Sequence, residues 1–167
     1  MKDDRTDLVH CLCVSAACAR PSFDQLLELL EGARRRNAAW GVTGVLVHDH
    51  GLFLHYVEGP GRAVEALTAR VALDARHAGL RWLSRGVQTR RRFPGWSLGF
   101  VHVDGESLSW LGRSARLSPL LDAALPARQA LDAASHLLER IESRPAPAGP
   151  GPSLTCRRSW GRRRPPA

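Results

Sequence analysis

Two apolar runs, Val42–Val47 and Leu52–Val57, flank the polar tetrapeptide His48-Asp49-His50-Gly51, and this hairpin constrains the fold more than any other feature of the chain. Runs of this length, rich in β-branched and aromatic residues and joined by a glycine-containing turn, read as two antiparallel strands. An isolated hairpin is barely stable in water, so its apolar surface needs further strands and a covering layer. The flanking sequence supplies both. Upstream, Leu8–Val14 is an apolar run that needs no helical period to explain it. Phe23, Leu26, Leu27, Leu30 and Ala33 then recur at helical spacing, with Leu29 widening the stripe, and the helix is expected to reach about Asn37. Ser22 is its candidate N-cap, and Gln25 completes a capping box.

Gly59-Pro60-Gly61 closes the hairpin, and a second helix follows with Val64, Leu67, Val71 and Leu73 expected inward, ending near Arg76. Residues 81–91 and 98–103 read as two more strands. The order β-α-β-β-α-β-β predicts an α+β, ferredoxin-like sandwich with both helices on one face of a mixed sheet. A planar ligand fits between two such helices. Residues 8–103 are expected to form this domain, and 104–142 a C-terminal helical cap of two segments interrupted at Pro126. Residues 143–167, rich in Pro, Gly, Ser and Arg, are expected to be a disordered basic tail.

Charge narrows the partners once it is located. The formal net charge is +8, but six arginines (144, 157, 158, 162, 163 and 164) and no acid lie from Arg144 onward, which leaves +2 for residues 1–143. The basicity belongs to the tail, which is expected to make only non-specific contacts with nucleic acid or other anions. No apolar run is long enough to span a membrane, and the acidic MKDDRTD start does not resemble a secretory signal. A cytoplasmic location is expected. Cys11, Cys13, Cys18 and Cys156 contain no C-x-x-C pair and are expected to be neutral thiols. His48 and His50 are expected to be solvated in their turn, so no metal site is expected. No nucleophile elbow, phosphate loop or zinc-protease motif occurs, and no enzymatic activity is expected.

Ala33-Arg34-Arg35-Arg36-Asn37, Val42-Thr43-Gly44, Phe53-Leu54-His55-Tyr56-Val57-Glu58-Gly59, Asp74-Ala75-Arg76-His77, Arg92-Phe93 and Trp96-Ser97-Leu98 succeed one another in a fixed order. From residue 8 to 102 this succession resembles the BLUF family of flavin-binding blue-light sensors. The resemblance implies FAD as cofactor, with FMN or riboflavin sharing the same ring. Leu29 and Val71 match the family's two wall positions, Asn37 the asparagine at the pyrimidine edge, and Phe53 the aromatic beside the ring. Arg70 and Asp74 match polar positions near the pyrimidine edge and ribityl chain. Each also has a plain structural role: Leu29, Phe53 and Val71 as core, Asn37 as a helix C-cap, and Arg70 with Asp74 as an i,i+4 pair.

Two positions break the pattern. Cys13 stands where the family's Y-x-S motif has tyrosine, and His55 stands where F-L-Q has glutamine. In the family, excited flavin takes an electron and proton from the tyrosine, and the glutamine amide then rearranges its hydrogen bonds to give a red shift. A thiol is a weak donor without the phenol's coupled chemistry, and imidazole has no carbonyl/amine exchange. Histidine brings instead a charge that can change near neutral pH. Trp96 matches the family's tryptophan near the flavin, a candidate electron donor, and flavin-edge hydrogen bonds are expected to bias Trp96 and Leu98 and through them the C-terminal helices. The expectation is therefore a BLUF-like domain that binds flavin with an altered or lost photocycle. The alternatives are a flavin-free interaction scaffold and a dark redox or pH sensor. The absence of an output segment resembles short BLUF proteins, so the expected partner is a separate, unidentified protein, or a second copy in a homo-oligomer.

Overall fold

The computed structural model describes residues 7–19, 21–103 and 117–143. Its five strands are β1 (Leu8–Ala17), β2 (Thr43–Asp49), β3 (Leu52–Pro60), β4 (His77–Val87) and β5 (Gly99–Val103). The helices are α1 (Phe23–Ala39), α2 (Gly61–Leu73), the single turn α3 (Ser118–Leu121) and α4 (Ala127–Glu142). The sheet order is β4-β1-β3-β2-β5, antiparallel throughout except for the parallel β2–β5 edge pair. This is the expected ferredoxin-like α+β arrangement.

Local chemistry explains the elements. Ser22 Oγ accepts from Gln25 N–H (3.2 Å) while Gln25 Oε1 accepts from Ser22 N–H (2.9 Å), the capping box read from the sequence. The β2–β3 turn is tighter than expected. Only His50 (φ 49°) and Gly51 (φ 88°) form it, because two successive positive φ values match the right-handed strand twist. His48 and Asp49 therefore belong to β2 and are buried. The expectation of a solvated His48 is corrected: it packs on Phe53 with centroids 4.9 Å apart, and its Nε2 accepts from Gly51 N–H at 3.1 Å.

The second helix also ends earlier than expected, at Leu73. Asp74 Oδ1 accepts from Arg76 N–H at 3.0 Å, which turns the chain straight into β4 at His77 rather than at residue 81. Leu73, expected inward, is 86% exposed. It lies two residues beyond Val71, and two residues turn a helix through about 200°.

The two sheet faces carry different layers. Leu12, Val14, Val45, Val47, Leu54, Tyr56 and Phe93 meet the α3–α4 segment through Leu117, Leu120, Ala134, Leu138 and Ile141. Each fully buried Leu or Ile there contributes roughly 1.5–3 kcal/mol. On the other face the core is split in two. Cys11, Val42 and Val57 pack under α2 through Val64 and Leu67. Leu46 and Leu98 pack under α1 through Leu26, Leu30 and Ala33. The expected cap thus covers the sheet face opposite α1 and α2; residues 104–116 of that stretch, and the basic tail from Arg144, lie outside the described residues.

Candidate functional site

A cavity of about 760 Å³ separates the two halves of the split core. Its floor is the sheet, through Cys13 and Ser15 of β1, Leu46 of β2, and Phe53 and His55 of β3. One wall is α1, through Leu29, Gly32, Ala33, Arg36 and Asn37; the other is α2, through Leu67 and Val71. Asp74, Arg76 and His77 close one end, and Leu98 lies where the chain enters β5.

Alternation along the strands sets this lining. Odd-numbered residues of β1 and β3 face α1 and α2, so Cys13 and His55 arrive on the same face and pair directly across the β1–β3 ladder. Cys13 and His55 also line a narrow crevice with Cys11, Val57, Leu67, Thr68, Val71 and Trp82 that has no room for a water molecule. Burial pushes the Cys13 thiol far above the usual range and Cys11 up to about 11. Burial, then the charges of His77 and Arg36, holds the His55 imidazole down at about 4. The expected change of charge near neutral pH is corrected: His55 is neutral there, one ring nitrogen a donor and the other an acceptor.

Asn37 is fully enclosed, at 1% exposure, and lies inside α1 rather than capping it. Its Nδ2 donates to the Ser97 carbonyl at 2.7 Å. Arg34 Nε, one helical turn earlier, donates to the Leu98 carbonyl at 2.9 Å, so α1 pins the segment that leads into β5. Asn37 Oδ1 and His55 Nε2 are buried with no hydrogen-bond partner. Buried polar atoms left unpaired cost about 1–3 kcal/mol each, so two around one cavity mark a place where a ligand's donors and acceptors belong. Gly32 adds a second sign. Glycine inside a helix costs about 1 kcal/mol against alanine, yet a Cβ at Gly32 would meet no atom within 4 Å. Room in the cavity, not packing within the protein, is what the missing side chain provides.

Of the residues expected at the site, the fold brings Cys13, Leu29, Asn37, Phe53, His55, Val71, Asp74 and Leu98 to the cavity. Arg70 and Trp96 are not in its lining. Arg70 is exposed on α2 and does not hold Asp74. That carboxylate is taken by Arg76, whose hydrogen bonds draw it down to about 2. Trp96 packs on Phe93 at 5.4 Å between centroids, in the cluster beneath α4. Arg36, Arg76 and His77 were missed as lining residues; Arg36 adjoins Asn37, and the other two complete the Asp74-Ala75-Arg76-His77 motif. Among the described residues no group of three or more His, Cys, Asp or Glu could hold a metal ion, and no helix is long and apolar enough to cross a membrane.

Comparison with known proteins agrees with the geometry. The chain is 34% identical over 94 residues to the photoactivated adenylate cyclase subunit beta of Euglena gracilis, covering 56% of this chain and 11% of that protein. The corresponding Euglena longa subunit is 31% identical over 84 residues, 50% of this chain and 10% of that protein. The chain thus spans about a tenth of the length of these curated relatives. Among solved structures, the BLUF protein BlrB in its dark state superposes with a TM-score of 0.66 at 24% identity, over 82% of this chain and 96% of BlrB. The BLUF domain of BlrP1 gives a TM-score of 0.53 at 29% identity, over 57% of this chain and 65% of that domain. The family model for sensors of blue-light using FAD matches residues 8–99, and the chain belongs to this BLUF family.

Proposed function

We propose that the cavity between α1 and α2 binds the flavin of FAD, and that the chain is a sensory or regulatory domain whose light switch is altered or lost. The unpartnered Oδ1 of Asn37 and Nε2 of His55 beside the same cavity carry the reading. About 760 Å³ is within the ~300–1,000 Å³ typical of ligand pockets. Leu29 and Val71 offer apolar walls to a flat ring, and an amide at Asn37 has both a donor and an acceptor for its polar edge. FMN and riboflavin present the same ring.

A bound flavin supplies a blue-light chromophore and a reversible electron acceptor. The chain's own residues determine whether excitation is turned into a switch. Tyr56 is the only tyrosine of the sequence. It faces the opposite side of β3, where its hydroxyl hydrogen-bonds to Gln88 Oε1 (3.0 Å) and Glu58 Oε2 (3.2 Å). No phenol therefore lines the cavity, and the thiol of Cys13 stays protonated in its dry surroundings. Neutral His55 can hold one hydrogen bond to a ring atom, without the amide exchange that a glutamine allows.

An outward route remains available. Leu98 lines the cavity, while Trp96, two residues earlier, packs in the cluster under α4. The backbone between them is held by Asn37. A ligand whose states differ in their demand on Asn37 would shift this segment, and with it the α3–α4 face toward a separate partner or a second copy; equal contacts in both states would shift nothing.

The test is the visible absorption of the purified full chain, expressed with FAD supplied and desalted, before and after blue light. A retained flavin spectrum with little or no light-induced red shift is expected. A full, reversible red shift would overturn the altered photocycle. No retained flavin in a folded protein would leave an interaction scaffold instead.

A further inference from the structure

We propose that the outer edge of β4 is a docking site for an extended acidic segment of a separate protein, added as a further strand with an apolar-x-acid-x-apolar pattern on the α2 side. β4 ends the sheet order, and among the described residues no strand pairs with its far side. Every second residue of such a strand turns its N–H and C=O away from the neighbour, so the eleven residues of β4 present a row of donors and acceptors outward. Extended peptides bind edges of this kind through main-chain hydrogen bonds, and alternate side chains supply the specificity.

The side chains along the edge indicate what the segment carries. Trp82, Arg85 and Val87 stand opposite Cys13, Cys11 and Val9 of β1, and so share the sheet face that α2 covers. Three large apolar side chains are exposed among the described residues; two of them, Trp82 (45%) and Val87 (70%), flank Arg85 here. Arg85 is 59% exposed, and its ion pair with Glu65 of α2 is long, at 3.9 Å. Such a pair contributes little, so the guanidinium is available to a second carboxylate. Residues 77–92 hold five arginines and no acid. A second copy of β4 would set those arginines against their own kind, and like charges across a ladder destabilise it. A nucleic acid fits less well than an acidic strand. Arg81 spends its N–H groups on carbonyls of the α3–α4 segment, and Arg91 on Thr43 and Gly41, while Arg92 is paired with Glu142. What remains along the strand is Arg85 between two apolar side chains, not a basic stripe.

The probe is a synthetic, fluorescein-labelled peptide with the core Val-Thr-Glu-Thr-Val, whose palindromic pattern fits either strand direction, beside a twin with lysine in place of glutamate. Fluorescence anisotropy against the full chain is expected to show the glutamate peptide binding at least about threefold more tightly, as one exposed ion pair implies. Arg85→Glu, at an exposed position, should invert the preference. Hydrogen exchange should slow in residues 82–87 when the glutamate peptide binds. Equal binding of the two peptides, or binding of neither, would overturn the proposal, as would protection that appears elsewhere than on β4. Two further outcomes reassign the edge: β4 amides protected by self-association without peptide give it to a second copy, and protection by single-stranded oligothymidylate but not by peptide gives it to nucleic acid.

Discussion

Cys13 and His55 sit directly opposite each other across the β1–β3 ladder, on the sheet face that floors the cavity. Both departures from the family pattern therefore fall at one cross-strand pair. A change at either position alters the surroundings of the other, so their effects should not be additive.

Restoring both is the informative experiment. The flavin-loaded Cys13→Tyr/His55→Gln double variant is expected to regain a light-induced red shift, while each single variant stays largely silent. The crevice behind Cys13 has no space for a phenol, so the new ring must enter the main cavity, which Cys13 also lines. Difference absorption spectra before and after blue light decide the matter. A flavin-loaded double variant without any shift would reject the assignment of these two residues to the chromophore's edge.

His55 also makes stability depend on pH. Its imidazole titrates near 4 when folded and near the ordinary 6.5 when unfolded. Between these values the unfolded chain binds more protons, so the stability is fully present above pH 6.5 and falls as the pH drops toward 4. From about pH 7.5 to about pH 5 the loss attributable to this group is about 2 kcal/mol. Urea melts at both pH values, with His55→Gln for comparison, measure it; equal pH dependence in the two proteins would show that His55 is not held neutral by burial.

Periodicity was enough to reveal the layers. The stripe from Phe23 to Ala33 forms α1 with Ser22 and Gln25 at its cap, and alternation sends Cys11 and Cys13 to one face and Leu12 to the other. Most of the site was legible through the ordered motifs, because Leu29, Asn37, Phe53, His55 and Val71 need only the right face of the right element. Tertiary hydrogen bonds were not legible. Nothing in the spacing of Arg70 and Asp74 says that Arg76 will take the carboxylate, because the i,i+4 pair exists only while the helix continues past Leu73. Burial of His48 depended on a two-residue turn, which places His48 and Asp49 inside β2 instead of the loop.

Gly32 separates the needs of the fold from those of the ligand. Its Cβ position is open space within the protein, so Gly32→Ala should stabilise the flavin-free chain by up to about 1 kcal/mol through helix propensity. The bulkier Gly32→Leu should project into the cavity and abolish flavin retention while leaving the fold intact. Denaturation midpoints and the flavin absorbance of desalted protein are the two readouts. Unchanged flavin loading in Gly32→Leu would mean that the ring does not lie along this part of α1.

Asp49 ties the opposite layer to the hairpin. Its carboxylate is 1% exposed, with Oδ2 accepting from Leu117 N–H at 2.9 Å and Oδ1 paired with His50 Nδ1 at 2.7 Å. Arg81 adds a second tie, donating to the carbonyls of Leu120, Asp122 and Leu125. Asp49→Ala leaves the Leu117 N–H buried and unpaired, at a cost of about 1–3 kcal/mol. That cost falls on the attachment of α3 and α4 and not on the β1–β3 ladder, which has no bond to Asp49. Hydrogen exchange should therefore quicken in residues 117–143 while protection of β1 and β3 holds. If the sheet loosens equally, the α3–α4 segment is an inseparable part of the core. It would then be poorly suited to move in response to events at Leu98 and Trp96, and the outward route through that segment would fail with it.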